Sequence, residues 1–280
     1  MTERILEGRT ALVTGAGRGL GREMAEALAA AGAKVALSDI DADVLAAAAK
    51  KVEAAGGQGC AIGLQADVTD RDRAETVVDE VIAAFGSLDI LINDAAMGPQ
   101  FFGGGRGVGP RFWETDPELW LRVLTVNSYG PQLMASVAAP RMLERGWGRI
   151  VNVTTSLDTM YRRGSGSYGP SKAALEANTA IMAEDLDGTG VTANVLVPGG
   201  PADTRMMTEE AVPDRDRLIR PTVMRAPAVW LASNDSDGIN GMRFIAALWD
   251  ESLPRDARIE RAGAPAAWPQ LPSKAIWPEG

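Results

Sequence analysis

The stretch Thr14-Gly-Ala-Gly-Arg-Gly-Leu-Gly21 joins a short apolar run, Thr10 to Thr14, to an alanine-rich run, Leu20 to Ala31. The first run predicts a buried strand, and the second predicts a helix that stops at Gly32. Glycines at such a junction allow a tight turn and let a pyrophosphate approach the helix N-terminus. A flexible loop has the same composition, but the position between a strand and a helix favours dinucleotide binding.

Outward from this turn, strands and helices alternate along the chain. Further strands are predicted at 34–38, 58–65, 88–93, 149–154, 191–197 and 243–248, and further helices at 43–55, 71–85, 117–144 and 168–187. This alternation is typical of a parallel sheet built from βαβ units. The sequence therefore predicts an α/β fold: a Rossmann-type, doubly wound parallel sheet of about seven strands with helices on both faces, in a single domain.

Two segments depart from this rhythm. Residues 97–113, rich in glycine and phenylalanine, form an insert within a predicted domain spanning 1–250, and residues 251–280 form a proline- and tryptophan-rich C-terminal extension. The insert can be a lid that closes over an apolar substrate or a solvent loop pinned by its aromatics, and both interpretations are kept. Trp268 and Trp277 in the extension predict packing against a neighbouring subunit, because exposed tryptophans are uncommon without a partner.

Composition excludes several classes of function. The net charge of -9 argues against a nucleic-acid partner, since phosphate backbones require a basic surface. Histidine is absent and Cys60 is the single cysteine, which excludes histidine-dependent triads, the usual zinc sites and an internal disulfide. No metal site is expected. The chain has no apolar signal core and no apolar run of about 18 residues, so a cytoplasmic protein without a membrane partner is expected.

Asp39, at the end of the second predicted strand, favours NAD over NADP. A carboxylate there can accept hydrogen bonds from the adenosine ribose and would repel a 2'-phosphate. Arg18 in the glycine turn favours NADP instead, because a cation could pair with the 2'-phosphate. The alternative for Asp39 is a helix cap, a role that Asp41 or Asp43 could fill equally well.

Tyr168 and Lys172 lie four residues apart in a predicted helix and therefore on the same face. A free phenol has a pKa near about 10, too high for a good base at neutral pH. The ammonium of Lys172 is expected to lower the pKa of Tyr168 by favouring the phenolate. The alternative is that Tyr168 and Lys172 are neighbours on a helix without a catalytic role, and the glycine turn upstream argues against it.

Together these motifs resemble the short-chain dehydrogenase/reductase family, whose members carry TGxxxGxG and YxxxK. Asp67-Val68, the run Asn93-Asp94-Ala95-Ala96, Asn127, and Pro198-Gly199 followed by Thr204 extend the resemblance to about residue 204. The resemblance implies an NAD site formed by Gly15, Gly17, Arg18, Gly19, Leu20, Gly21, Asp39, Ile40, Asp67, Val68, Asn93, Ala95, Tyr168, Lys172, Pro198, Gly199 and Thr204.

The resemblance also implies the catalytic roles. Tyr168 would transfer a proton, Lys172 would bind the nicotinamide ribose, and Asn127 would hold a water in a relay to Lys172. The family places a serine 13 residues before the tyrosine, where this chain has Thr155, with Ser156 one residue later. Spacing favours Thr155 and residue type favours Ser156; neighbours in a strand face opposite sides, so only one hydroxyl is expected to face the site.

Other departures, such as Asp94 in place of the family's second asparagine, concern the substrate more than the reaction type. The expected activity is NAD-dependent hydride transfer between a secondary alcohol and a ketone, in a homotetramer or dimer as the resemblance implies. A sugar, a 3-oxoacyl thioester, a steroid-like alcohol and an aromatic diol all remain candidate substrates. The rival classes are a non-enzymatic dinucleotide sensor and a redox-independent lyase or dehalogenase. The catalytic set argues against the sensor, and the glycines with Asp39 argue against the lyase.

Overall fold

A computed structural model describes residues 4–102, 109–210 and 212–269. Its central sheet has eight strands in the order β3-β2-β1-β4-β5-β6-β7-β8. Pairing is parallel from β3 to β7, and β8 is antiparallel to β7. The strands are β1 Thr10–Thr14, β2 Lys34–Asp39, β3 Ala61–Gln65, β4 Ile90–Asn93, β5 Gly148–Val153, β6 Val191–Val197, β7 Met242–Ile245 and β8 Gly263–Pro265.

The helices cover both faces of this sheet, as predicted. They are α1 Gly19–Ala30, α2 Ala42–Gly56, α3 Arg71–Phe85, α4 Pro117–Leu124, α5 Gly130–Arg145, α6 Leu157–Tyr161, α7 Tyr168–Asp185, α8 Arg225–Leu231 and α9 Arg255–Ala262. Successive strand residues enter two separate cores: Val13 packs with α1, α2 and α8, whereas Leu12 packs with α3, α5 and α7. Burial on both faces explains why the strands read as continuous apolar runs.

The strand order reverses between β1 and β4, which places a crevice at their carboxyl ends. Thr14 ends β1 opposite Asn93, which ends β4 opposite Asn152 of β5. In open α/β sheets, ligands bind at this kind of switch point. The glycine turn follows Thr14 directly, so the sequence motif and the crevice coincide.

The predicted helix 117–144 is interrupted. A π-helical turn, Thr125–Tyr129, separates α4 from α5, and the Gly130 N–H bonds to the Thr125 carbonyl. Pro131 supplies the physical reason, because it has no N–H to donate to the carbonyl of residue 127 in an α-helical ladder. Asn127, which lies within this turn, is fully buried.

The C-terminal segment also differs from the prediction. The expected strand 243–248 ends at Ile245, where a short 3-10 turn, Ala246–Leu248, begins. The segment predicted as an extension supplies α9 and β8, and β8 pairs Ala264 with Arg243 of β7. Trp277 lies outside the described residues. Among the described helices, none is long and apolar enough to cross a membrane.

Candidate active site

Three glycines of the turn have no room for a side chain. A Cβ on Gly15 would lie 2.8 Å from the backbone of Ala95, and Gly15 has φ +67°. A Cβ on Gly17 would lie 2.2 Å from a methyl of Val44, and one on Gly21 would lie 2.6 Å from the Gly15 carbonyl oxygen. Backbone therefore packs too closely on backbone at Gly15 and Gly21, and on the Val44 side chain at Gly17, for any residue but glycine.

The first turn of α1 begins at Gly19, also at positive φ, and its N-cap residue Arg18 makes no side-chain capping bond. Leu20 follows, half-buried against one of the two cores. The first turn of a helix carries N–H groups without intrahelical partners and the positive end of the helix dipole. An uncapped helix start beside a cradle of glycines fits the pyrophosphate of a dinucleotide.

Asp39 is fixed at the end of β2 by backbone contacts. Its Oδ2 accepts a hydrogen bond from the Gly17 N–H at 3.0 Å, and its Oδ1 accepts one from the Asp41 N–H at 3.1 Å. Asp41, rather than Asp39, caps α2 by accepting from the Asp43 N–H. Asp41 also forms an ion pair with Arg18. The cation that could have received a 2'-phosphate is thus already paired with a carboxylate.

Three other predicted cofactor residues lie at the ends of β2 and β3. Ile40 is exposed beside Asp39. Asp67 is exposed and accepts hydrogen bonds from the N–H and hydroxyl of Thr69. Val68 is buried against Gly130, where an added Cβ would lie 2.7 Å from it. Their place beside the adenosine of a bound dinucleotide stays a prediction.

Asn93 ties β4 to β5. Its Nδ2 donates to Asn152 Oδ1 at 2.9 Å, while its buried Oδ1 has no partner. Ala95 follows at the floor of the glycine turn, and its N–H donates to Thr14 Oγ1 at 3.3 Å. Asn93 therefore braces the switch point through its side chain, and Ala95 braces it through its backbone.

Asp94 places a carboxylate inside the crevice, where the family pattern has an asparagine. A Cβ on Gly21 would lie 2.9 Å from its Oδ2. Burial raises the pKa of Asp94 to about 7, although the Lys172 charge and the Gly21 N–H oppose this shift. Burial lowers the pKa of Lys172 to about 8, and the negative charge of Asp94 opposes this fall only in part.

The segment after β6 approaches the glycine turn. Pro198 accepts a hydrogen bond from the Ala247 N–H at 3.1 Å, and Gly199 has φ +101° with no room for a side chain beside Ala247. Thr204 lies 3.3 Å from the position of a Cβ on Gly19. The structure thus brings residues 15–21 and 198–204 to the same crevice.

Asn127 uses its whole side chain for hydrogen bonds within the protein. Its Oδ1 accepts from the Met97 N–H at 2.8 Å, and its Nδ2 donates to the Met97 carbonyl at 2.9 Å and to Ser171 Oγ at 3.0 Å. The side chain links α7 to the segment after β4. The expected water relay to Lys172 stays a prediction.

Tyr168 and Lys172 lie buried on the first turns of α7. Lys172 Nζ donates to the Val153 carbonyl at 2.8 Å, which anchors it to the end of β5. We expected Lys172 to lower the pKa of Tyr168, but burial dominates and raises that pKa to about 12, with Asp94 adding to the rise. At neutral pH the phenol is therefore protonated in this structure.

The structure separates the two candidate hydroxyls. The Thr155 side chain acts on Tyr168 and opposes the rise of the phenol pKa. Ser156 Oγ pairs instead with Thr159 Oγ1 at 2.9 Å, at the start of α6. These contacts favour Thr155, the residue at the expected spacing from Tyr168, and its role stays a prediction.

Apolar side chains pack around Tyr168. Met97 and Val123 are buried with it in one small cluster, and Met206 packs against that cluster. Of the insert, Phe101, Phe112 and Trp113 are exposed, with Phe112 and Trp113 in edge contact. Residues 103–108 lie outside the described residues, so the choice between a lid and a pinned loop stays open.

Sequence reasoning missed two charged residues behind the site, Glu176 and Arg243. Glu176 follows Lys172 by four residues and so shares its helix face, which was a readable signal. Arg243 is a cation within a short, otherwise apolar strand, which predicts a buried partner. Their pairing was not readable, because the two residues are 67 positions apart.

Comparison with known proteins agrees with this geometry. The model of the short chain dehydrogenase family matches residues 9–214. The NADPH-dependent aldehyde reductase 2, chloroplastic, of Arabidopsis thaliana is 34% identical over 260 residues, covering 86% of this chain and 93% of the relative. D-threitol dehydrogenase of Mycolicibacterium smegmatis is 32% identical, covering 86% of this chain and 92% of the relative.

Solved structures give the same answer. A dehydrogenase/reductase from Sinorhizobium meliloti is 30% identical with a TM-score of 0.73, covering 85% of this chain and 93% of that one. A short chain dehydrogenase from Salmonella enterica is 26% identical with a TM-score of 0.78, covering 88% of this chain and 98% of that one. The chain therefore belongs to the short-chain dehydrogenase/reductase family of nicotinamide-dependent oxidoreductases.

Proposed function

We propose that this protein is an NAD-dependent oxidoreductase that interconverts a secondary alcohol and a ketone. The observation that carries the proposal is that Tyr168 and Lys172 of α7 lie close to Thr155 at the end of β5. This group borders a crevice that fits a dinucleotide. When bound, the nicotinamide supplies the hydride acceptor or donor. The protein's own task is then to hold the substrate oxygen and to move one proton at it.

Tyr168 is the group assigned to that proton. The buried phenol is protonated at neutral pH because its pKa lies at about 12, so its resting form can donate a proton to a carbonyl oxygen. Alcohol oxidation needs the reverse transfer, for which a cation close to the phenol must lower its pKa. Lys172 is placed one helical turn away and can hold that positive charge while its Nζ remains anchored to Val153.

Thr155 is assigned to orient the substrate oxygen. Its side chain acts on the Tyr168 phenol and lowers its pKa, so a substrate oxygen placed between the two groups can accept from both. Met97, Val123 and Met206 form an apolar wall beside this position. The wall supports a substrate whose carbinol carbon carries apolar substituents.

The preference for NAD rests on the adenosine side. Asp39 would repel a 2'-phosphate, and Arg18 is neutralised by its ion pair with Asp41. The Arabidopsis relative carries an NADPH dependence in its name, so the family accommodates both cofactors. The charges of this chain favour the unphosphorylated one.

We also propose that the protein works as a homo-oligomer in the cytoplasm. Leu121 of α4 and Ile181 of α7 are 62% and 58% exposed, and a second copy of the chain would cover such apolar side chains. Sedimentation analysis checks the oligomeric state.

The test is a spectrophotometric assay of NAD and NADP reduction over a panel of secondary alcohols, with the reverse assay on the matching ketones. Replacing Tyr168 by Phe should lower kcat by about 10²- to 10⁴-fold, the usual contribution of a general acid–base. Binding of NAD, measured by calorimetry, should be largely intact, because the phenol is only one of the many groups assigned to the dinucleotide.

The matched control is Tyr161→Phe, since Tyr161 is 77% exposed on α6 and should leave turnover unchanged. Undiminished turnover in Tyr168→Phe would contradict the assignment. Binding of NAD without turnover on any alcohol or ketone would instead favour the dinucleotide-sensing alternative.

A further inference from the structure

Four consecutive residues at the end of β5 are each held by a different contact. The Val153 carbonyl accepts from Lys172, and the Thr154 hydroxyl donates to Glu176 Oε2 at 2.9 Å. The Thr155 carbonyl accepts from Arg243 Nη2 at 2.9 Å, and the Ser156 hydroxyl pairs with Thr159. The hydroxyls of Thr154 and Ser156 are therefore bonded to Glu176 and Thr159, which leaves Thr155 as the residue of this segment whose side chain acts on Tyr168.

Glu176 and Arg243 form the buried ion pair behind this segment. Arg243 Nε donates to Glu176 Oε1 at 2.8 Å, and the side chains are 0% and 10% exposed for Glu176 and Arg243 respectively. Each carboxylate oxygen of Glu176 has one partner, and the Arg243 fork spans Glu176 and Thr155. A planar guanidinium can bridge two acceptors in this fixed geometry, which a lysine ammonium cannot reproduce.

The bridge joins three elements at one point. Glu176 lies on α7 one turn after Lys172, and Arg243 lies on β7, next to β6 in the sheet. The pairing of Arg243 with Ala264 of β8 closes the outer edge of this strand. The direction of the Thr155 peptide is therefore set by residues that do not reach the substrate position.

We propose that Arg243 and Glu176 are positioning residues that select Thr155, rather than Ser156, as the hydroxyl presented to Tyr168 and the substrate oxygen. This inference rests on the proposed function, because only there does the direction of the Thr155 hydroxyl matter to catalysis. Buried ion pairs are weak contributors to stability compared with apolar replacements. Stability alone therefore does not account for this buried pair, whereas positioning of Thr155 does.

The experiment compares Arg243→Lys, Arg243→Met and the double variant Glu176→Leu/Arg243→Met with the unaltered protein. Loss of the Thr155 anchor should lower kcat by about tenfold or more, since small misplacements of a reacting group carry costs of this order. Affinity for NAD should stay within about twofold, because no atom of the pair touches the glycine turn. Arg243→Lys retains the charge and should still lose turnover.

A second readout needs no substrate. The chain has three tyrosines, so a Tyr129→Phe/Tyr161→Phe background leaves Tyr168 as the single tyrosine for ¹³C-labelled NMR. Arg243→Met should shift the ¹³Cζ resonance of Tyr168 as its hydrogen bond from Thr155 changes. A shifted resonance without turnover on any alcohol would uphold the positioning and refute the redox function.

The matched control is Arg149→Met, which removes another buried arginine from the opposite end of β5. Arg149 is paired with Asp237 and bonds to the Gly148 carbonyl, far along the strand from Thr155. It should lower stability and leave both kcat and the Tyr168 resonance unchanged. Recovery of kcat and of the resonance in the double variant would overturn the proposal, as it would show that only an unpaired charge had mattered.

Discussion

The glycine turn and the end of β5 are built on opposite principles, although both border the same crevice. At the turn, backbone packs on backbone: Gly15 lies against Ala95, and the Gly17 N–H holds Asp39. At the end of β5, the backbone is held by buried charges, chiefly Lys172 and Arg243. In the proposed function, the first region would bind the dinucleotide through shape and amide dipoles, and the second would position the reacting groups through ion pairs and hydrogen bonds.

The difference predicts two kinds of failure. A substitution at the turn fails by steric overlap, so its effect depends on volume and barely on pH. A substitution at the end of β5 fails by leaving a charge uncompensated, whereas one at Asp94 removes a buried charge, so both effects follow the protonation of the neighbouring groups. The experiments below separate these two cases, from the largest expected effect to the smallest.

Gly15→Ala should give the largest effect on stability. A φ of +67° costs an L residue about 1–2 kcal/mol, and overlap with the Ala95 backbone adds about 1–3 kcal/mol. The free energy of unfolding, measured by urea denaturation, should fall by about 3 kcal/mol with little change between pH 6 and pH 8. NAD affinity should fall as well, because the turn is displaced from the start of α1.

Gly86→Ala is the matched control for this change. Gly86 follows α3 with φ +91°, but an added Cβ meets nothing within 4 Å. It therefore carries the backbone strain without the overlap and should cost about 1 kcal/mol. Equal losses in the two variants would show that close packing at the glycine turn is not what constrains it.

Asp39→Ala tests the charge that the turn holds in place. Removing the carboxylate should shift the NADP-to-NAD ratio of kcat/KM upward by about tenfold, which corresponds to about 1.4 kcal/mol. Asp39→Asn separates the two roles of the side chain, since it removes the charge but keeps an oxygen for the Gly17 N–H. An unchanged cofactor ratio in both variants would mean that another group reads the ribose.

Most strands and helices around the glycine turn could be predicted from the sequence. The strand Thr10–Thr14, the helix Arg71–Phe85 and the strand Val191–Val197 have the predicted bounds, because apolar runs and glycine stops are local signals. The break between α4 and α5 was missed, although Pro131 marks it, because the flanking apolar pattern continues across it.

The contacts at the end of β5 could be predicted only in part. The spacing of Tyr168, Lys172 and Thr155 gave the residues that meet, since one helix and one strand end carry them. The bridge from Arg243 to Glu176 depends on β7 lying beside β6, a contact that no local pattern contains. The pKa of Tyr168 also escaped prediction, because burial, which spacing does not report, raises it.

Asp94→Asn tests the carboxylate that the sequence placed where an asparagine is usual. The pKa of Asp94 rises from 3.8 to about 7 on folding, so between these values the folded protein keeps a proton that the unfolded chain has lost. Its contribution therefore lowers the free energy of unfolding as pH rises from about 4 to about 7, and the loss is complete above that range. The asparagine variant lacks this decline.

The variant should thus match the unaltered protein near pH 4 and exceed its stability at pH 8, with the difference growing between about pH 4 and pH 7. Urea denaturation at a series of pH values measures it, with Asp67→Asn as an exposed control at the end of β3. A constant difference across pH would mean that Asp94 acts through shape, like the glycines beside it. A difference that grows with pH would show that Asp94 acts through its charge, as the residues at the end of β5 do, even though it lies beside the glycine turn.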